Sequence, residues 1–240
     1  MKYIYGPVDS RRLGFSLGIS LTPYKVCSLD CVYCQLGRTT ERTTKRKEYI
    51  DIKEILTEFK SWLAANSVKT GELNYITFSG MGEPTLNTQI GKLILEIKKL
   101  AAVPIAVITN SCFLSDPLLR KELLNADLIV PSLDAATQEI FERIDRPEKN
   151  INIESIIDGL IDLRKEYTGK FWLEVMLVKG INDDLVHINK LKEIIERIDP
   201  DKIQLNSPVR VTAEIGIVPV DRNKLEKIKE ILGDKCEIIY

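Results

Sequence analysis

The 240-residue sequence has one histidine, His187, and no run of about 18 apolar residues that would cross a bilayer as a helix. Its opening, Met1-Lys2-Tyr3-Ile4-Tyr5, lacks the apolar core of a secretion signal. There is also no excess of either charge. With 34 basic and 35 acidic residues the formal net charge is −1, so contact with nucleic acid has to come from a local basic patch. Neither DNA nor a membrane is therefore an expected partner. Cysteine is scarce and odd in number, five residues, which suits a reducing compartment such as the cytoplasm better than a disulfide framework. Hydrophobic residues at 44% and charged residues at 29% describe a globular chain able to bury a sizeable core.

What is present is concentrated. Three of the cysteines fall in Cys27-Ser28-Leu29-Asp30-Cys31-Val32-Tyr33-Cys34, whereas Cys112 and Cys236 stand alone and read as small buried hydrophobes. Thiolate is the soft ligand taken by zinc and by iron–sulfur clusters, and thiols this close in sequence can wrap one object. A structural zinc needs four ligands, and no second Cys or His pair lies nearby. Three cysteines on a four-iron cluster leave one iron for another molecule. A zinc site and a plain disulfide loop are the other arrangements open to such a triplet.

The rest alternates between strand and helix patterns. Gly6, Pro7 and Gly14 punctuate a loop, and Phe15, Leu17, Ile19 and Leu21 alternate as a strand, so residues 1–22 lead into the cysteine loop. Arg11 and Arg12 form either a solvated turn or a pair of anion donors. From Arg38 to Lys47 five of ten residues are basic against one acid: a solvated loop, or a patch for a phosphate backbone. Ile52, Ile55, Leu56, Phe59, Trp62 and Leu63 then share a helical face, with the aromatics as core.

Strands follow at Leu73–Phe78, Pro104–Ile108, Leu128–Val130 and Phe171–Val178, and Pro200–Arg210 holds the sixth strand and its loop; helices between them include about Ile153–Tyr167 and Leu185–Ile198. His187, near the start of that last helix, reads as a surface residue. The end, Glu237–Tyr240, reads as a short strand. Six strand–helix pairs without a long linker predict an α/β fold, a partial (β/α)6 TIM-like barrel formed by 1–240 as a single domain. Such barrels gather binding groups at the carboxyl ends of their strands. There this chain has Ser79-Gly80-Met81-Gly82-Glu83-Pro84, Thr109-Asn110, Ser132 with Asp134, and Gln204, Asn206 and Arg210. Arg210 is suited to an acidic substrate group. Glu174, inside an apolar strand, needs a partner or a water-filled lumen.

The spacing Cys27-xxx-Cys31-x-Tyr33-Cys34, with an aromatic before the last cysteine, resembles the signature of the radical S-adenosylmethionine (SAM) superfamily. The resemblance implies a [4Fe-4S] cluster on Cys27, Cys31 and Cys34, with SAM chelated to the fourth iron and cleaved reductively to a 5'-deoxyadenosyl radical that abstracts hydrogen from a substrate. It implies a reductant protein of flavodoxin or ferredoxin type. Tyr33 would lie beside SAM. Gly80, Gly82 and Glu83 resemble the family's Gly-Gly-Glu element at the methionine end; the bland alternative is an ordinary strand-to-helix loop. Asn110 and Asp134 would meet the ribose or carboxylate of SAM, and Asn206 its adenosine. Arg11, Arg12, Glu174 and Arg210 are left to bind substrate.

The opening Gly-Pro-x-x-Ser-Arg-Arg-Leu-Gly further resembles a subgroup classed beside the tRNA wyosine synthases, which implies a tRNA base as substrate. Those enzymes carry a second cluster on cysteines for which this chain has no counterpart before Cys27. Hydrogen abstraction from a peptide, a protein glycyl site or a small metabolite is the second reading, and a non-catalytic iron–sulfur electron carrier the third.

Overall fold

The computed structural model describes residues 1–66 and 70–239. Its centre is a sheet of eight strands among those residues: β1 (Ile4–Ser10), β2 (Gly14–Ile19), β5 (Tyr75–Phe78), β6 (Ile105–Thr109), β7 (Leu128–Pro131), β8 (Lys170–Met176), β9 (Lys202–Asn206) and β10 (Cys236–Ile238), paired in that order. β2 and all that follow it run parallel, and only β1 is antiparallel. Two two-residue strands outside the sheet, β3 (Val26–Cys27) and β4 (Glu41–Arg42), pair with each other.

Seven helices lie among the described residues: α1 (Ile52–Ala65), α2 (Ile90–Leu100), α3 (Pro117–Leu123), α4 (Gln138–Ile144), α5 (Ile153–Glu166), α6 (Leu185–Ile198) and α7 (Arg222–Leu232). A 3-10 turn covers Pro84–Leu86. Most helices begin at an acid or amide cap: Asp51, Asp116, Asn152, Asp184 and Asp221 each accept a backbone N–H of the first turn. Their apolar stripes pack on the outer face of the sheet, with Ile55, Phe59, Phe78, Ile94 and Leu160 fully buried. The alternate strand residues face inward, where Ala106, Leu128 and Val130 cluster with Leu13 against Tyr75, Ile108 and Trp172. Among the described residues β1 does not pair with β10. The barrel is thus partial, as the strand–helix alternation predicts.

Four sequence expectations change. The opening stretch is not a loop: Ile4–Ser10 is an edge strand paired to β2 through a register shift between Tyr5 and Val8 that takes in the cis Gly6-Pro7 bond. It escapes a periodicity search because Gly6, Pro7, Asp9 and Ser10 break any apolar alternation. β8 stops at Met176, two residues early. The final strand is Cys236–Ile238, and Tyr240 lies outside the described residues. His187 is buried at 4% exposure, because it shares with Ile188, Leu191, Ile194, Ile195 and Ile198 the inward face of α6.

Candidate metal and cofactor site

The cysteine loop leaves the carboxyl end of β2 and docks on the break after α4. Asp30 N–H donates to the Asp145 carbonyl (3.0 Å), Val32 N–H to Ile144 (2.9 Å) and Glu148 N–H to Ser28 (2.9 Å). The interruption Ile144–Pro147 is thus the seat of the loop. From the other side the glycine loop pairs with it: Lys25 N–H donates to Met81 (2.5 Å) and Glu83 N–H to Val26 (3.2 Å). A Cβ on Gly82 would drive into the Val26 carbonyl and Thr22, and one on Gly80, at φ 108°, into Ser20 and the Tyr5 ring. Gly82 therefore serves close packing against the backbone entering the cysteine loop, and Gly80 makes room for Ser20 and the Tyr5 ring.

All three thiols are free and partly buried. Asn110 Nδ2 donates to Cys27 Sγ (3.5 Å) and Lys25 Nζ to Cys34 Sγ (3.2 Å). Burial and the nearby Glu83 push Cys27 up to about 12, and burial, Asp145 and the neighbouring cysteines hold Cys31 well above its ordinary value. A cationic inorganic centre reverses that balance, since a coordinating thiol is deprotonated outright. Among the described residues no group of three or more His, Cys, Asp or Glu side chains is arranged to hold a metal ion. Three free thiols on one loop, with N–H donors on two of the sulfurs, are a donor set suited to an iron–sulfur cluster.

Around this loop the structure assembles most of the residues expected at the mouth. Tyr33 O–H donates to Asp134 and lies 3.4 Å from Asp145 Oδ1, and burial holds both carboxyls above the usual range. Asp134 is fixed in turn by Met176 N–H (2.8 Å). A small cavity is lined by Tyr33, Asn110, Ser132, Asp134 and Asp145 with Leu29 and other apolar residues. Glu83, 3% exposed, accepts from Thr85 N–H (3.0 Å), Thr85 Oγ1 (2.5 Å), Thr109 Oγ1 (2.7 Å) and Asn110 N–H (2.8 Å). The first three donors crowd Oε1, so only Oε2 keeps capacity for another. Its first task here is to clamp the end of β6 to the glycine loop.

Arg12 Nη1 stands 2.5 Å from Glu174 Oε2, and Asn206 Nδ2 donates to Glu174 Oε1 (2.8 Å). The buried acid thus has its partners in Arg12 and Asn206, whose amide turns toward Glu174. Arg11 is exposed, and partial burial together with Arg210 and Arg12 holds its guanidinium below the ordinary value. Arg210 donates to Gln35 Oε1 (2.8 Å), beside Cys34.

The basic run does not form a free patch. Arg38 pairs with Glu214, Arg42 with Glu148 (3.2 Å), and Arg46 with Asp116 (3.3 Å) and Glu122 (2.6 Å). Lys47 lies over the Tyr49 ring. Two residues were passed over by the sequence reading. Tyr5 lays its ring against Gly18 and Gly80 and shares a 2.7 Å hydrogen bond with Ser79; the mid-strand Gly18 was the available signal. Lys25 had none.

The sequence matches the Radical SAM superfamily over residues 21–191, and the chain belongs to that superfamily, whose members use a [4Fe-4S] cluster and SAM. Among curated proteins it is 40% identical to the GTPase Obg of Brachyspira hyodysenteriae, over 99% of this chain and 34% of that protein. It is 36% identical to the UPF0026 protein MJ1312 of Methanocaldococcus jannaschii, over 100% of this chain and 73% of that protein. With the GTP 3',8-cyclase of Clostridium acetobutylicum the identity is 33%, over 89% and 69%. The chain thus spans a third of one relative and about seven tenths of the other two. A radical SAM methyltransferase from Sphaerobacter thermophilus shares the fold, with a TM-score of 0.68 at 17% identity over 93% of this chain and 65% of that one. Among the described residues no helix is long and apolar enough to cross a membrane.

Proposed function

We propose that this chain reductively cleaves SAM at a [4Fe-4S] cluster on Cys27, Cys31 and Cys34 and abstracts hydrogen from a nucleotide substrate. The observation that carries the reading is the set of three free thiols on one loop at the carboxyl ends of the strands, with Asn110 and Lys25 donating to two of the sulfurs. When bound, the cluster supplies the electron for cleavage of the sulfonium, drawn from a flavodoxin- or ferredoxin-type reductant. The residues of this chain do the rest. Asn110, Asp134 and Tyr33 border the cavity beside the cysteine loop and would orient SAM. Glu83 fixes Asn110 through its backbone N–H, and its Oε2 can still accept from the amino group of SAM.

The nucleotide reading is supported by the relative named GTP 3',8-cyclase and by Arg11 and Arg210, guanidiniums suited to phosphate. A free nucleotide is favoured over a base within tRNA because Arg38, Arg42 and Arg46 are engaged with acids of this chain. The tRNA reading rests on the resemblance to wyosine synthases and on the exposed Lys45 and Lys47. The experiment is isotope transfer: reconstituted protein, reductant and SAM are incubated separately with deuterated nucleotides, tRNA and peptides. Deuterium in 5'-deoxyadenosine from the nucleotide pool alone supports the reading. Deuterium from the peptide pool alone overturns it, and deuterium from tRNA alone selects the other.

A further inference from the structure

Lys25 is 3% exposed, and among the described residues it has no carboxylate partner; its Nζ donates to Cys34 Sγ at 3.2 Å. A buried ammonium without a counter-ion is costly, so an anion has to compensate it. The chain also holds the residue in a conformation that side-chain-bearing residues rarely adopt, φ 58°. That backbone is fixed from three directions, by its N–H to Met81 (2.5 Å) and by its carbonyl accepting from Thr40 N–H and Glu41 N–H (3.2 Å each). Backbone outliers persist where the surroundings over-determine them, and here the result is to aim an ammonium at a ligand sulfur. Acidic side chains also act on the neighbouring thiols, Glu83 on Cys27 and Asp145 and Asp134 on Cys31.

We infer that Lys25 is the electrostatic counter-charge of the iron–sulfur centre, a positioning residue that favours its reduced state. The inference rests on the proposed cluster site and adds to it. A [4Fe-4S] centre on three thiolates carries net negative charge that grows by one when the reductant delivers an electron. A fixed positive charge beside one of its sulfurs favours the more negative state and raises the reduction potential. Glu83, Asp134 and Asp145 act in the opposite sense wherever they are ionised, so Lys25 offsets them.

The test is an electron-paramagnetic-resonance redox titration of the full chain, reconstituted anaerobically and reduced with dithionite, in the wild type and in Lys25→Met, Lys25→Gln and Lys25→Arg. The methionine variant is expected to keep its iron while the reduced-to-oxidised ratio at fixed ambient potential falls about tenfold, which is about 59 mV for a one-electron couple. Lys25→Gln retains a donor but no charge and should follow methionine; Lys25→Arg should stay near the wild type. Methionine and wild type titrating together, or glutamine matching wild type, would overturn the assignment. So would uncharged variants that fold by circular dichroism yet hold no iron, because Lys25 would then build the site rather than tune it. A wild type that takes up no iron defeats the cluster reading itself, and is distinguished by failing before any variant is compared.

Discussion

The Arg12 guanidinium lies 2.5 Å from the carboxylate of Glu174, joining the β1–β2 turn to the middle of β8. Glu174 is 7% exposed and its second oxygen is held by Asn206. This pair ties the edge hairpin across the inner face of the barrel. Removing only the cation leaves a buried carboxylate with one amide donor, so Arg12→Ala should destabilise the fold by about 2 kcal/mol or more. Arg12→Met with Glu174→Leu removes both charges and should cost less than the sum of the single changes. Urea unfolding of the four members of the cycle checks this; additive effects would show that the pair is not coupled.

Gly82 marks the closest approach of the glycine loop to the cysteine loop. A methyl group there meets the Val26 carbonyl, one residue before Cys27. Overpacking of this kind costs about 1–3 kcal/mol and displaces backbone. Gly82→Ala is expected to lower iron uptake on reconstitution while far-ultraviolet circular dichroism stays near that of the wild type. Wild-type iron content in the variant would show that the loops do not need this contact.

His187 is buried, and neither ring nitrogen makes a well-formed hydrogen bond among the described residues, the Asp134 backbone only partly offsetting the burial. Burial lowers its pKa in the folded state, so below about 6.5 the unfolded chain binds the proton more readily. The contribution of His187 is therefore expected to fall as pH drops from 7 toward 5 and to recover as pH rises, opposite in sign to that of the raised Asp134 and Asp145 carboxyls. His187→Leu should abolish that part of the slope and be neutral or stabilising at pH 7, since an apolar ring of contacts replaces an unsatisfied polar one. Urea midpoints at pH 7 and pH 5 read it directly; an unchanged slope in the leucine variant places the acid sensitivity elsewhere.

Much of this was legible in the amino-acid order. Leu185–Ile198 is a helix at the bounds its apolar spacing predicts, with Asp184 as its cap. The cysteine triplet and the strand-end residues Asn110 and Asp134 do meet around one loop, because β/α alternation alone brings strand ends together. What escaped depends on contacts distant in sequence. The opposite charges that engage Arg38, Arg42 and Arg46 lie at Glu214, Glu148, Asp116 and Glu122, so local composition left both a solvated loop and a phosphate-binding patch open. The partners of Glu174 lie 162 residues before it and 32 after it. Lys25 looks like any surface lysine until its backbone conformation and burial are known.

The central claim is that Cys27, Cys31 and Cys34 hold a cluster able to cleave SAM. The most direct measurement is 5'-deoxyadenosine released under strict anaerobiosis by reconstituted chain, reductant and SAM, in the wild type and in Cys31→Ala. The account predicts release by a wild type that carries about four irons per chain, and none by the variant. Equal release from both, or a wild type that carries zinc in place of iron and releases none, would contradict it.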